Sequence, residues 1–108
     1  MFKLTARHTV KWPVTIAKPI DGGKVEKHKL EAVFEILHND EYDRVAREGD
    51  VLERVLVGIE SQIFSEDGDA PLVFEAAKKS LLRIPYARAA LIEAYFTASS
   101  GREAQQKN

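Results

Sequence analysis

Two stretches near the N-terminus alternate between apolar and polar residues, and this alternation constrains the fold more than any other feature. In residues 6–16, one face carries Ala6, His8, Val10, Trp12, Val14 and Ile16. In residues 24–37, one face carries Leu30, Ala32, Phe34 and Ile36. A period of two predicts half-buried β-strands. The intervening Asp21-Gly22-Gly23 tolerates positive φ, so the two stretches predict an antiparallel β-hairpin.

The first of these strands is expected at an edge. Pro13 lies on its polar side and cannot donate a ladder hydrogen bond, which predicts an edge strand or a bulge. A hairpin alone is marginally stable in water, so other elements must pack against its Trp12 and Phe34 face.

From residue 39 the pattern has the period of helices. Asn39 or Asp40 can cap a short helix that ends at Gly49. Asp50 can cap a second helix, whose apolar face is formed by Val51, Leu52, Val55, Leu56 and Ile59. Gly58 weakens this helix by roughly 1 kcal/mol relative to alanine and marks a place for it to end.

Two further helices follow a polar, turn-rich loop at residues 65–71. Residues 73–84 predict the third helix, with an apolar stripe formed by Phe74, Ala77, Leu81 and Ile84. Pro85 suits a first helical turn, so the fourth helix begins there and runs to about Ala98. The expected fold class is therefore α+β, with an N-terminal antiparallel β-hairpin packed against about four α-helices in the C-terminal two-thirds.

Length and composition indicate one domain. The chain has 108 residues, of which 44% are hydrophobic and 31% charged, as is typical of a soluble globular protein. We expect a single domain over residues 1–98, with the hairpin at about 5–37 and the helices at about 39–98. A polar, flexible tail is expected at 99–108. Because the chain has neither a membrane-length apolar run nor a secretory signal, we expect it to act in the cytosol.

Charge and residue content count against several classes of function. With 16 basic and 17 acidic residues the net charge is −1, so no overall basic excess favours nucleic acid. The absence of cysteine excludes thiolate chemistry and Cys-based zinc sites. The local basic run KVEKHK at residues 24–29 fits an acidic or nucleic-acid partner, but a charged strand that discourages edge-to-edge aggregation is the favoured interpretation.

No motif for catalysis, cofactor binding or metal binding stands out. A cross-strand pair of His8 and His28 could form half a metal site, with no carboxylate placed to complete it. The loop SEDGDAP lacks the spacing of a calcium loop, and DGGK lacks that of a phosphate loop. We therefore predict a protein that is not an enzyme and has no catalytic, cofactor or metal site.

The last helix is apolar on more sides than a surface helix of a small protein needs. One stripe consists of Ala87, Leu91, Ala94, Tyr95 and Ala98. A second, adjacent stripe consists of Ala89, Ile92 and Phe96, leaving mainly Arg88 and Glu93 to face water. Either both stripes are buried within the domain, or the second is exposed and binds a partner. Because few elements are available to cover it, we take Ala89, Ile92 and Phe96 as candidate partner-binding residues.

Four segments in order carry a family resemblance: VKWPVTIAKPIDGGKVEKHKLEAVFEIL, LERVLVGIE, EDGDAPLVF and LLRIPYARAALIEAYF. Together they resemble the tail assembly chaperones of long-tailed bacteriophages and prophages, over most of residues 10–97. The chain departs from the family pattern at Ile59, where an aromatic residue is usual, and at Val73-Phe74, where Pro-Phe is common.

The resemblance implies a non-enzymatic, mixed α/β assembly factor. Such proteins self-associate, hold the tape measure protein and tail tube subunits during tail morphogenesis in the host cytoplasm, and are absent from the mature virion. The family also makes a longer product by ribosomal frameshifting, and Gln106-Lys107-Asn108 can be encoded by a slippery sequence.

Two alternatives remain. One is a head–tail or tail structural subunit that stays in the virion. The other is a small nucleic-acid-binding regulator that uses the last two helices as a helix-turn-helix, although the outward Arg88 and Glu93 do not make a base-reading face.

Overall fold

A long β-hairpin forms the N-terminal third of the fold, as the alternation predicts. The computed structural model describes residues 1–66 and 68–104, and in it strand β1 spans His8–Ile20 and strand β2 spans Lys24–Ile36. The two strands pair antiparallel along their whole length. Two glycines of the connecting turn have φ angles of 85° and 73°, the left-handed region that disfavours a side chain.

The hairpin buries the face that the alternation predicts. The buried residues of this core face are Val14, Ile16, Leu30, Ala32 and Phe34. Val10, Trp12 and Ile36 on the same face are half-buried and pack against them. The far end of the hairpin, residues 17–29, is exposed throughout, so the strands extend beyond the region that the helices cover.

β1 is an edge strand, which confirms the inference from Pro13. Glu31, the β2 residue opposite Pro13, directs its backbone away from β1: its N–H donates to the Ser61 hydroxyl and its C=O accepts from the Glu60 N–H. In an antiparallel pair the facing residue must likewise direct its backbone outward. Pro13 therefore occupies a position where no ladder hydrogen bond is lost. Pro19, six residues along, has the same orientation because the direction alternates.

A third strand replaces the second half of the predicted second helix. Helix α2 spans only Val51–Val55, and strand β3, Leu56–Ile59, pairs antiparallel with β2. The helical prediction for residues 56–59 was wrong because a bulge interrupts the pairing, so that Leu56 lies opposite Phe34 and Ile59 opposite Ala32. A bulge lets residues i and i+3 share one face of a strand, which imitates the spacing of a helix.

The packing of β3 on β2 explains why residue 58 is a glycine, which the helical interpretation did not predict. It lies opposite Val33, and a Cβ added to Gly58 would stand 3.2 Å from the Val33 side chain. Val33, an apolar residue on the otherwise charged outer face of β2, therefore lies over a glycine.

The other three helices follow the predictions closely. Helix α1 spans Asn39–Glu48, α3 spans Phe74–Arg83 and α4 spans Pro85–Ser99. One detail differs, because the N-cap of α1 is His38, with no side-chain cap bond, and neither Asn39 nor Asp40. No helix in the described part of the chain is long and apolar enough to cross a membrane. Of the tail predicted at 99–108, residues 105–108 lie outside the described residues.

Tyr95 joins α4 to the sheet and to the entry of α1. Its side chain is 1% exposed, and its hydroxyl accepts a hydrogen bond from the Leu37 N–H at 3.2 Å. Its ring stands edge-on to Phe34, with centroids 5.6 Å apart, and stacks on Tyr42 at 6.3 Å. Burial raises the pKa of the Tyr95 phenol. The residue is therefore both a core side chain and the acceptor for a buried backbone donor.

We expect Tyr95→Phe to lower the free energy of unfolding by about 1–3 kcal/mol, because the buried Leu37 N–H loses its acceptor. Chemical denaturation measures this difference. Tyr42→Phe is the matched control, since Tyr42 is half-buried and should change stability by less than about 0.5 kcal/mol. Equal losses in the two variants would contradict the role assigned to the Tyr95 hydroxyl.

Candidate partner-binding surfaces

The buried stripe of α4 faces the sheet. Ala87, Leu91 and Tyr95 are each no more than 1% exposed, and α4 packs chiefly against β1. Ala94 and Ala98, which complete the predicted stripe, are half-buried at its margin. The helical spacing of these residues thus produces the expected buried face.

The second stripe, Ala89, Ile92 and Phe96, lies on the side of α4 turned away from the sheet. Ala89 is exposed and Phe96 is 49% exposed, whereas Ile92 is half-buried against the core. The Phe96 ring lies 6.3 Å from Tyr42 of α1 and 6.2 Å from Tyr95. The result is a small aromatic surface between α1 and α4, with Phe96 as its accessible part.

Arg88 is partly exposed, as the helical wheel predicts, but it also makes a tertiary contact that the wheel does not show. Its guanidinium donates to the Asp50 carboxylate at 2.5 Å, and Asp50 in turn accepts from the Leu52 N–H at the start of α2. The hydrogen bond from Arg88 lowers the pKa of Asp50. Arg88 thus fixes α4 against the start of α2 and so holds one border of the second stripe in place.

A groove lies beside the N-terminal end of α4, whereas the aromatic surface lies near its C-terminal end. It encloses about 600 Å³ between the core face of the hairpin, the 61–72 segment and the junction of α3 and α4. Its apolar lining includes Ile16, Leu30, Ile63, Phe64, Leu72, Leu81, Ile84 and Tyr86. Phe64 is 50% exposed, and a bridge between Phe64 and Pro71 closes the 61–72 segment into a loop.

The sequence analysis did not predict the groove, because the lining residues come from four separated segments. Ile63 and Phe64 on one side of SEDGDAP, and Leu72 on the other, were the available signal. Apolar residues that flank a polar turn indicate a loop folded back on an apolar surface. The backbone bond from the Leu72 N–H to the Ile63 C=O, 2.7 Å long, holds that arrangement.

Glu35 is the centre of an ion cluster on the other face of the sheet. Arg7 and Arg54 donate to its two carboxylate oxygens at 3.0 and 3.1 Å, and Arg54 also donates to Glu41 at 2.8 Å. The hydrogen bond from Arg54, assisted by Arg7, lowers the pKa of Glu35 against the opposing effect of burial. The cluster links β2, α1, α2 and the segment before β1. We therefore assign it a role in stabilising the fold.

The histidines do not come together. The strand register places His8 opposite Ile36 and His28 opposite Ile16, so the suggested cross-strand pair of His8 and His28 was wrong. His28 instead contacts Glu26, with Nε2 2.6 Å from a carboxylate oxygen. Within residues 1–66 and 68–104, no group of three potential ligands is arranged to hold a metal ion. Of the acidic loop, Asp67 lies outside the described residues.

Comparisons with known protein families, with curated proteins and with solved structures find no match to this chain. The described residues form two candidate surfaces, the second stripe of α4 and the groove beneath the hairpin.

We expect Glu35→Gln to lower the free energy of unfolding at neutral pH by about 1.5–3 kcal/mol, because two arginines lose a charged acceptor. Since folding lowers the Glu35 pKa below its ordinary value of 4.5, the stabilisation is complete above that value and is lost as the pH falls through the lower folded value. The difference between wild type and variant should therefore be constant down to roughly pH 5 and shrink below it.

The control for this experiment is Glu31→Gln, an exposed position on the same strand. Urea denaturation of the three proteins across the pH range gives the comparison. A wild-type advantage that grows as the pH falls would contradict the ionised state assigned to Glu35.

Proposed function

We propose that this protein is a non-enzymatic phage tail assembly chaperone, which self-associates and binds the tape measure and tail tube proteins during tail morphogenesis. It acts in the host cytoplasm and leaves the tail before the virion is mature. The proposal rests on the collinear resemblance over residues 10–97 and on the exposed apolar surface of α4. Phe96 is the single observation that carries the surface argument, because a large aromatic side chain 49% exposed on a helix is a typical protein contact.

The mechanism that follows is the holding of a client helix. A tape measure protein is long and helical, and an apolar helical face is protected from aggregation when it lies against another apolar face. The rings of Phe96 and Tyr42 lie side by side on α4 and α1, so a client helix lying across this aromatic surface would contact Phe96 and reach Tyr42. A contact of one or two aromatic anchors gives modest affinity, which suits a chaperone that must later release its client.

We expect Phe96→Asp to weaken self-association or client binding by at least about tenfold, because an aspartate at an apolar contact must be desolvated. The fold should survive, since Phe96 is half outside the core. Sedimentation measures self-association, and co-purification with the tape measure protein of the same phage measures client binding. Thermal unfolding of the same samples reports whether the domain is intact.

Two variants provide the matched comparison. Val73→Asp replaces another exposed apolar residue, which is 73% exposed just before α3. It should leave self-association and client binding unchanged. Ile92→Asp should destabilise the domain as well as the contact, because Ile92 packs partly against the core. If Phe96→Asp unfolds the domain, or binds as tightly as Val73→Asp, the proposal that α4 contacts a partner through Phe96 is refuted.

The protein content of purified virions distinguishes a chaperone from a structural subunit of the tail. A chaperone is present in lysates of infected cells and absent from purified particles, whereas a structural subunit persists in them. A steep fall of affinity for DNA or heparin with rising salt would instead favour the nucleic-acid-binding regulator. A slippery sequence at codons 106–108, followed by an open overlapping frame and a tape measure gene, would add strong support to the chaperone.

A further inference from the structure

The far part of the hairpin, residues 17–29 (the arm), leaves the β2 side of the sheet open, and unlike the β1 side this edge carries no proline. β3 pairs with β2 only beside residues 32–34, and the last contacts on that side are those of Glu31 with Glu60 and Ser61. Because backbone direction alternates along a strand, the N–H and C=O groups of Val25, Lys27 and Lys29 point the same way as those of Glu31. In the described part of the chain, no backbone hydrogen bond reaches them from that side.

The groove lies beneath the core face of the hairpin and reaches this part of β2, since Ile16 and Lys18 of β1 and His28 and Leu30 of β2 line it. Phe64, on the loop that leaves the sheet after Ser61, lines it as well. A strand added beside residues 25–29 would therefore occupy the place that β3 would fill if it continued. Alternate side chains of the added strand would point into the apolar groove, and the others would lie on the outer face.

The outer face of the arm is basic. Of the charged residues of the arm, Lys27 and Lys29 lie on this face with no acidic residue of the arm beside them, whereas Lys18, Lys24 and Glu26 fall on the core face and Asp21 lies in the turn. Lys27 and Lys29 alternate with His28 and so lie on the outer face, where they would stand beside the outward side chains of an added strand. Glu26 already contacts His28 on the core face. The neighbours best suited to the outer face are therefore carboxylates.

A second copy of this chain is a poor occupant of the same edge. Antiparallel pairing of two β2 edges would place lysines of one arm beside lysines of the other, and directly opposed like charges destabilise a strand pair. The exposed N-terminal segment of another copy carries Lys3 and Arg7 and meets the same repulsion. Glu66 also lines the groove, so a side chain that enters the groove is better apolar than acidic.

We propose that the open edge of β2 binds an extended segment of another protein by strand addition, and that the segment alternates apolar residues with Asp or Glu. Its backbone pairs with Val25, Lys27 and Lys29. Its apolar side chains enter the groove against Phe64, and its carboxylates lie beside Lys27 and Lys29. This site is separate from the second stripe of α4 and does not depend on the proposed function.

The direct test uses the full chain and a short synthetic peptide that alternates Glu with Val and Phe. Amide hydrogen exchange followed by NMR should show slower exchange, by about tenfold or more at saturating peptide, at Val25, Lys27 and Lys29. Glu26 and His28, whose N–H groups point toward β1, serve as internal controls and should not change. Unchanged exchange at the first three positions overturns the proposal.

Two altered peptides separate backbone pairing from charge. A peptide with Lys in place of Glu should bind at least about tenfold more weakly, since it meets Lys27 and Lys29. The acidic peptide with alternate backbone nitrogens methylated should bind equally weakly, because the ladder hydrogen bonds cannot form. If either altered peptide binds as tightly as the original, the edge does not bind an acidic segment by strand addition, and the proposal is overturned.

Two proline variants make the matched comparison on the protein. Lys27→Pro removes an N–H that faces the open edge, and Ala17→Pro, at the residue paired with Lys27, removes one that faces the opposite edge. Both imitate the natural edge prolines, so both should fold. Lys27→Pro should lose about tenfold or more in affinity for the acidic peptide, while Ala17→Pro keeps it. Equal affinity of the two folded variants overturns the proposal, and the exchange and methylated-peptide results decide it if Lys27→Pro fails to fold.

Discussion

The burial of α4 against the hairpin is the contact on which the rest of the domain depends. A two-stranded hairpin has little stability of its own, and α4 is the helix that packs most extensively on this one, with Leu91 and Tyr95 fully buried. Tyr95 fixes the arrangement further, since it packs on Phe34 and also accepts the Leu37 N–H. With the buried stripe held in this way, the orientation of the outer stripe of α4 is fixed as well.

Much of the fold follows from short-range patterns in the sequence. The alternation, the glycine turn and Pro13 predict the hairpin and its edge, and Pro85 predicts the start of α4; the structure has all of these. β3 could not be predicted in the same way, because a bulge places Leu56 and Ile59 on one face with the spacing of a helix. A bulge exists only relative to a partner strand, here β2, and no local window around residues 56–59 contains that strand.

The candidate surfaces show the same division between local and distant information. Ala89, Ile92 and Phe96 belong to one helix, so their common face could be read from the wheel, and their role in binding stays a prediction. The tie between Arg88 and Asp50 joins residues 38 positions apart, and the groove joins segments from the hairpin to α4. Contacts of this kind depend on how elements are arranged in space, which periodicity does not specify.

The two prolines of β1 make the two edges of the hairpin unequal in their ability to pair with an added strand. Pro13 and Pro19 face the outer edge of β1, and neither has an N–H to offer a neighbouring chain. The hairpin is therefore chemically one-sided, since a strand can add beside β2 but finds an incomplete ladder beside β1. The missing N–H groups therefore disfavour the propagation of an assembly through this sheet into a fibre. A protein that exposes apolar surface gains from this restriction, because its own chains template one another less readily.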